Sequence, residues 1–344
     1  MKILVATSDV PFVEGGHRVI ARALALAFRE AGHESEILTT PQNRFGRQFS
    51  AYTATRFTDV EFTGAGERVD RLVSLRFPSY VLKHPNHVCW LNHRMREYYD
   101  LWQTWTPKLS WKGRLKEAVR RKLIHAADGH YLKAGHLRKL FAQSKNIQDG
   151  LRRWGGIPSE VLYPPPPQRE YRTEGYGDFL LSPARLSPLK RTHLLIEALA
   201  KTSAGRAVLV GDGPERGRIT ELIRQRSLES RVELAGQVSE IQLADLYARC
   251  RAVFYAPVNE DYGLVPIEAF RSRKPLMTAT DSGGATELVR HEHSGFVTPP
   301  DAAEFAASIT LLFDQPSLAE TMGSAAFEDS KHINWPDTVA RLLA

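Results

Sequence analysis

Short apolar, β-rich runs bounded by turn residues alternate with helix-period segments along the whole chain, and the alternation breaks clearly once, at four consecutive prolines, 164–167. Strands joined by helical crossovers pair in parallel, so this pattern is the sequence form of βαβ units. Before the prolines the runs are KILVATS (2–8), ESEILTT (34–40), RLVSL (71–75), HVCWLN (87–92), LFAQS (140–144) and EVLYP (160–164). After them come FLLSPA (179–184), AVLVGDG (207–213), VELAGQ (232–237), AVFYAPV (252–258), PLMTAT (275–280) and GFVTP (295–299), with helical segments such as THLLIEALA (192–200) and IQLADLYARC (241–250) between them. The prolines remove four backbone donors in a row and favour extended chain, which reads as a linker. A length of 344 residues also suits two domains. Two Rossmann-like α/β domains facing each other across a cleft is therefore the expected architecture.

The first crossover is the clearest helix. Val19, Ile20, Ala23, Leu24, Ala27 and Phe28 follow i, i+3, i+4 spacing, and Gly32 is placed to stop the helix. Residues 41–69 show no clear period and are expected to be a loop. Two cysteines far apart, Cys89 and Cys250, exclude a disulfide framework and a cysteine-based zinc site. The N-terminus meets Asp9 and Pro11 too soon for a signal peptide, and no run of eighteen apolar residues exists. A cytoplasmic protein, with a peripheral position at the inner membrane face as its other option, is expected.

In open parallel sheets ligands bind beyond the carboxyl ends of strands, so the loops after each strand carry the functional reading. Gly15 and Gly16 follow the first strand and precede a helix, where a phosphate could approach the backbone, although a glycine pair alone also makes an ordinary turn. Arg185 and Lys190 lie between a strand end and a helix start, where two cations could hold a diphosphate. Gly211 and Gly213 form a tight turn after the next strand. The segment 260–270, EDYGLVPIEAF, sets Glu260 at a strand end and Glu268 in the first turn of a helix opened by Pro266. Carboxylates so placed accept paired hydrogen bonds from sugar or ribose hydroxyls, and the backbone N–H groups between them can meet phosphate.

Taken in order, these segments resemble the family-4 retaining glycosyltransferases, glycosyl transferases group 1, which have the GT-B fold. The E-x7-E element matches as Glu260 to Glu268, and PARLSPLKRTHLLIEAL, GDGP, DSGGATELV and VEGGHRVIARALALAFREAGHE match further family segments. The resemblance implies an N-terminal acceptor-binding domain over 1–166, a C-terminal nucleotide-sugar donor domain over 167–330, and a last segment, 331–344, whose helix returns to the N-terminal domain with Trp335 as packing anchor. It implies a retaining, metal-independent transfer of a hexose-type sugar from a nucleotide diphosphate sugar to a glycan, lipid-linked or small-molecule acceptor, with no cofactor. Arg185 and Lys190 would neutralise the diphosphate, Glu260 would hold sugar hydroxyls, Glu268 the ribose, and His93 would contact the donor sugar. Tyr262, Gly263, Leu264 and Val265 would line the donor site, with Gln237 and Val238 near the base. A non-hydrolysing nucleotide-sugar epimerase and a non-catalytic nucleotide-sugar-binding protein share the fold and stay as alternatives. The pairs His84/His87 and His291/His293 lack a third or fourth ligand, and no Asp-x-Asp occurs, so no metal site is expected.

Net charge is +7. It is uneven: residues 1–170 carry 27 Lys and Arg against 16 Asp and Glu, and the rest carries 19 against 23. Over 107–145 there are eleven Lys and Arg against Glu117 and Asp128, with Trp102, Trp105 and Trp111 before or inside the stretch. This fits a helix resting on an anionic membrane surface, and equally a cationic helix in water. Nucleic acid is not expected, because no binding motif accompanies the charge.

Overall fold

The computed structural model describes residues 1–9, 15–42, 46–133 and 135–344. The chain forms two compact units, one made of 1–165 together with 333–344, the other of 166–332.

The first unit is built on a parallel sheet of β1 (Lys2–Asp9), β2 (Glu34–Pro41), β3 (Arg71–Ser74), β4 (His87–Leu91), β5 (Lys139–Ala142) and β6 (Glu160–Val161), in the order β2-β1-β3-β4-β5-β6. β3 and β4 are buried at every residue, as strands covered on both faces must be. β6 has only two residues, shorter than its apolar run, since the prolines that follow have no N–H to give a ladder. Helix α1 (Gly16–Glu30) buries Ile20, Ala23, Leu24, Ala27 and Phe28. It ends where Gly32 takes φ +82° and the His33 amide returns to the Phe28 carbonyl.

Residues 41–69 are not a plain loop: they contain α2 (Gln48–Arg56). Its inward face is Gln48, Ala51, Tyr52 and Thr55, mostly polar or small, while Phe49 is exposed, so its period was hidden in the sequence. Then follow α3 (Trp102–Trp105), α4 (Trp111–Tyr131) and α5 (Lys145–Gly155). The buried Asp128 of α4 accepts hydrogen bonds from Tyr52, Tyr80 (2.6 Å) and Tyr99 (2.7 Å), tying α4 to α2 and to the β3–β4 connection.

The second unit holds β7 (Phe179–Pro183), α6 (Thr192–Leu199), β8 (Arg206–Val210), α7 (Arg216–Gln225), β9 (Val232–Gly236), α8 (Glu240–Arg249), β10 (Ala252–Phe254), α9 (Val265–Arg271), β11 (Leu276–Ala279), β12 (Gly295–Thr298), α10 (Ala302–Asp314) and α11 (Pro316–Ser330). The strands run β9-β8-β7-β10-β11-β12, all parallel, with the order reversing between β7 and β10. That reversal opens a crevice at the carboxyl ends of β7 and β10. After the second unit the chain returns to the first as α12 (Trp335–Leu343), whose Trp335 ring meets Trp90 edge-on at 6.3 Å between centroids. Arg71 on β3 donates to the Leu342 and Leu343 carbonyls at 3.0 and 2.8 Å, capping that helix.

Candidate functional site

The β7–β10 switch point collects most of the residues singled out in the sequence. After β7 the chain makes a short turn, and Lys190 donates to the Glu260 carboxylate at 2.6 Å and to the Tyr255 hydroxyl at 2.7 Å. Burial works against the Lys190 ammonium, but Tyr255 and Glu260 outweigh it and raise its pKa above the ordinary lysine value. Lys190 is therefore a fixed cation. The Leu189 carbonyl also accepts from the Val258 amide at 2.8 Å, so the two strand ends are joined by backbone as well.

Arg191, which the sequence reading passed over, holds this turn in place. It adopts φ +49°, unusual for a side chain with a Cβ, and its buried guanidinium reaches the carbonyls of Ala256 and Pro257, both at 2.8 Å. It also binds the Asp281 carboxylate through two nitrogens, at 2.9 and 2.6 Å. Three loops, after β7, β10 and β11, are thus clamped together by one side chain.

Glu260 is held from the other side by the glycine loop. Its amide donates to the Ser282 carbonyl at 3.0 Å, and its carbonyl accepts from Gly284 at 2.8 Å. A Cβ on Gly283 would stand 2.6 Å from the Glu260 carbonyl oxygen, and one on Gly284 2.2 Å from that of Asp261, so glycine is required for this close approach. Gly263, at φ +77°, packs similarly against the Tyr255 ring. The side chains of Tyr262 and Val265 are buried, which leaves the backbone of 263–265 as what this turn can offer a ligand.

Glu268, in the first turn of α9, is buried; it accepts from the Tyr247 hydroxyl at 2.9 Å and pairs with Arg169 at 3.4 Å. Burial raises its pKa, with Arg169 and Tyr247 opposing the shift. Arg169 keeps two buried nitrogens, Nε and Nη1, without a hydrogen-bond partner among the described residues, as does the Tyr171 hydroxyl. Polar capacity therefore remains around this carboxylate.

Gly211 and Gly213 press on the turn after β7: a Cβ on either would come within 2.4 Å of the Ala184 or Leu186 carbonyl oxygen. Their turn also supports Arg185, which is exposed and has no ion pair among the described residues. Gln237 is exposed and Val238 half-buried, at the end of β9 beside the capped start of α8.

Gly15, Gly16 and His93 belong to the first unit. Gly15 caps α1 in extended conformation, and a Cβ on it would lie 2.9 Å from the His17 ring; Gly16 faces open space. His93 follows β4, half-buried, with Nδ1 2.5 Å from the Arg94 carbonyl oxygen. Burial and then Arg76 push its pKa well below the usual value, with Arg96 and His17 adding to the effect. His17, also missed, is buried, and its pKa is lowered to about 3 by burial and by Arg76. At neutral pH both rings are uncharged hydrogen-bonding groups. His84 and His87 are engaged structurally, with the Val69 carbonyl at 3.0 Å and the Ser74 hydroxyl at 2.7 Å.

Residues 168–329 match the family model described as glycosyl transferases group 1. Over 107 residues the chain is 35% identical to the human alpha-1,3/1,6-mannosyltransferase ALG2, a stretch covering 31% of this chain and 26% of that protein. Over 162 residues it is 32% identical to the alpha-D-kanosaminyltransferase of Streptomyces kanamyceticus, covering 44% and 42%. The chain thus spans well under half the length of these curated relatives. The solved structure of Anabaena HepE in complex with UDP and glucose superposes with TM-score 0.69 at 22% identity, over 100% of this chain and 99% of that one. The fold is of the GT-B type, and over residues 168–329 the chain matches glycosyl transferases group 1, as the resemblance implied.

Proposed function

We propose, from the premise that residues 168–329 form a domain of the glycosyl transferases group 1 family, that this protein is a glycosyltransferase using a nucleotide diphosphate sugar as donor. The observation that carries the reading is the Lys190–Glu260 pair at the switch point, with Tyr255 behind it and Glu268 a short turn away. When the glycosidic bond to the diphosphate breaks, negative charge gathers on the leaving phosphate oxygen. Lys190 and the exposed Arg185 are the cations assigned to it. Glu260 would exchange its bond to Lys190 for sugar hydroxyls, and Glu268 would hold the ribose. The backbone of 263–265 would meet phosphate, and the chain near Gln237 and Val238 the base, over the turn of Gly211 and Gly213.

The first unit is assigned the acceptor, a glycan, lipid-linked or small-molecule hydroxyl. By the resemblance, Gly15 and Gly16 are assigned to donor binding and a neutral His93 to the donor sugar. Retention at the anomeric carbon rests on the resemblance of the Glu260-to-Glu268 element. Metal independence rests on Arg185 and Lys190 supplying the charge that a divalent ion would otherwise bring.

Calorimetry with UDP, GDP, ADP and dTDP tests the donor site, UDP first because HepE was solved with it. One nucleotide should bind, and Arg185→Ala should weaken it tenfold or more, about 1.4 kcal/mol. No binding by any of the four, or an unchanged affinity in the variant, would remove the reading.

A further inference from the structure

The outward face of α4 carries a feature that the sugar-transfer reading does not use. Trp111, Leu115, Val119 and Leu123 are 71%, 63%, 54% and 53% exposed. They recur every fourth residue, so they form one stripe about 18 Å long on the helix surface. Helix faces in water are normally polar, and four large apolar side chains in a row on such a face mark a contact surface.

The face beside the stripe is wholly cationic in its charge. Lys112, Arg114, Lys116 and Lys122 are exposed, whereas the only two carboxylates of the helix, Glu117 and Asp128, are buried on its inner side. Glu117 is spoken for by Arg120 and by the Tyr98 hydroxyl at 2.9 Å, and Asp128 by three tyrosines. The inner side is further anchored by Ile124, and by Arg121 and His125, which both reach the Tyr98 carbonyl at 2.8 Å. The helix is thereby fixed in rotation, with apolar groups and lysines outward and every acid inward. Trp102 and Trp105, by contrast, are half-buried and pack on Tyr98.

We propose that the outer face of α4 docks on an anionic lipid surface, with Trp111, Leu115, Val119 and Leu123 entering the headgroup–acyl boundary and the flanking lysines and arginine meeting lipid phosphates. Long lysine stems can lie along the apolar stripe and keep their ammonium groups at headgroup level. An acidic protein would satisfy the cations but leaves four aligned apolar groups without purpose, and a second copy of this helix would set like charges against each other.

Flotation with vesicles of phosphatidylcholine alone, and with 30% phosphatidylglycerol, tests the assignment. The protein should float with the anionic vesicles, and much less with the neutral ones. The triple variant Leu115→Ser/Val119→Ser/Leu123→Ser keeps every charge and should bind the anionic vesicles at least tenfold more weakly. Lys112→Gln/Lys122→Gln should lose binding and flatten its salt dependence. Brominated acyl chains should quench the fluorescence that Trp111→Phe removes. Thermal melts and calorimetric nucleotide binding of the variants show that the fold is intact, and failure of nucleotide binding in the wild type would leave the vesicle result standing on its own. Failure of the wild type to float, equal binding by the triple variant, or a dimer in sedimentation that the triple variant abolishes would each overturn the proposal.

Discussion

Lys190 and Glu260 are seventy residues apart, yet their side-chain charges meet at 2.6 Å, and this juxtaposition defines the site more than either residue alone. Each was legible in the sequence because strand-end loops of parallel sheets are where ligands bind. Arg191 and Asp281 were not legible. A charged pair ninety positions apart leaves no local pattern, and Arg191 stood beside Lys190 as one more base in a basic turn. Only the folded backbone, with Arg191 in the left-handed region, reveals that Lys190 turns to Glu260 while its neighbour clamps the loops. The proposed roles of Lys190 and Glu260 separate two kinds of loss. Glu260→Gln keeps the shape but weakens the grip on sugar hydroxyls, so kcat/KM should fall by two to three orders of magnitude, about 3–4 kcal/mol, with nucleotide diphosphate affinity within threefold of wild type. Lys190→Met should lower both. Steady-state kinetics beside calorimetry checks this, and a Glu260→Gln variant that loses nucleotide affinity as strongly as activity would contradict the assignment of Glu260 to the sugar.

Elements with a wide apolar face were read correctly and those with a narrow or inverted one were not. α1 buries a continuous stripe and its glycine stop was visible. α2 turns Gln48 and Thr55 inward and Phe49 outward, which inverts the pattern that periodicity detects. α4 is a related case: its inner face includes Glu117 and Asp128, and its outer face four large hydrophobics, so charge counting found the helix but not its orientation. Asp128 is what makes that inversion stable. A buried carboxylate costs desolvation, and burial indeed raises its pKa, but the hydroxyls of Tyr52, Tyr80 and Tyr99 satisfy both oxygens. Asp128→Asn replaces one of the two acceptor oxygens with an NH2 donor and should destabilise the protein by about 2–3 kcal/mol. Urea unfolding followed by circular dichroism measures it; a midpoint unchanged from wild type would mean that the tyrosine cluster is not holding α4.

At the scale of the molecule, the strand–helix alternation announced two α/β units, but not their strand orders. Strands buried on both faces look alike whatever their neighbours, so the order β2-β1-β3 of the first sheet and β9-β8-β7 of the second could not be told apart from the runs themselves. The strand runs leave the partner of the last helix open as well, because contacts hundreds of residues away set it, and only the family resemblance implies its return. α12 follows the second unit in sequence and packs in the first, where Arg71 caps it and Trp335 meets Trp90. Trp90 in turn donates to the Leu162 carbonyl at 2.7 Å, and Arg341 pairs with Glu160, so α12 also secures the short edge strand β6, which has only two residues of its own ladder. Helix α12 is therefore an integral part of the first unit. Trp335→Ala removes the edge-on ring contact and part of the cover over Trp90, and should cost about 1–2 kcal/mol. The loss has a location: amide hydrogen exchange should accelerate first at β6 and β5, which depend on that cover, before it changes at β1 and β2. Unchanged protection at Glu160, Val161 and 139–142 would show that the edge of the first sheet stands without α12.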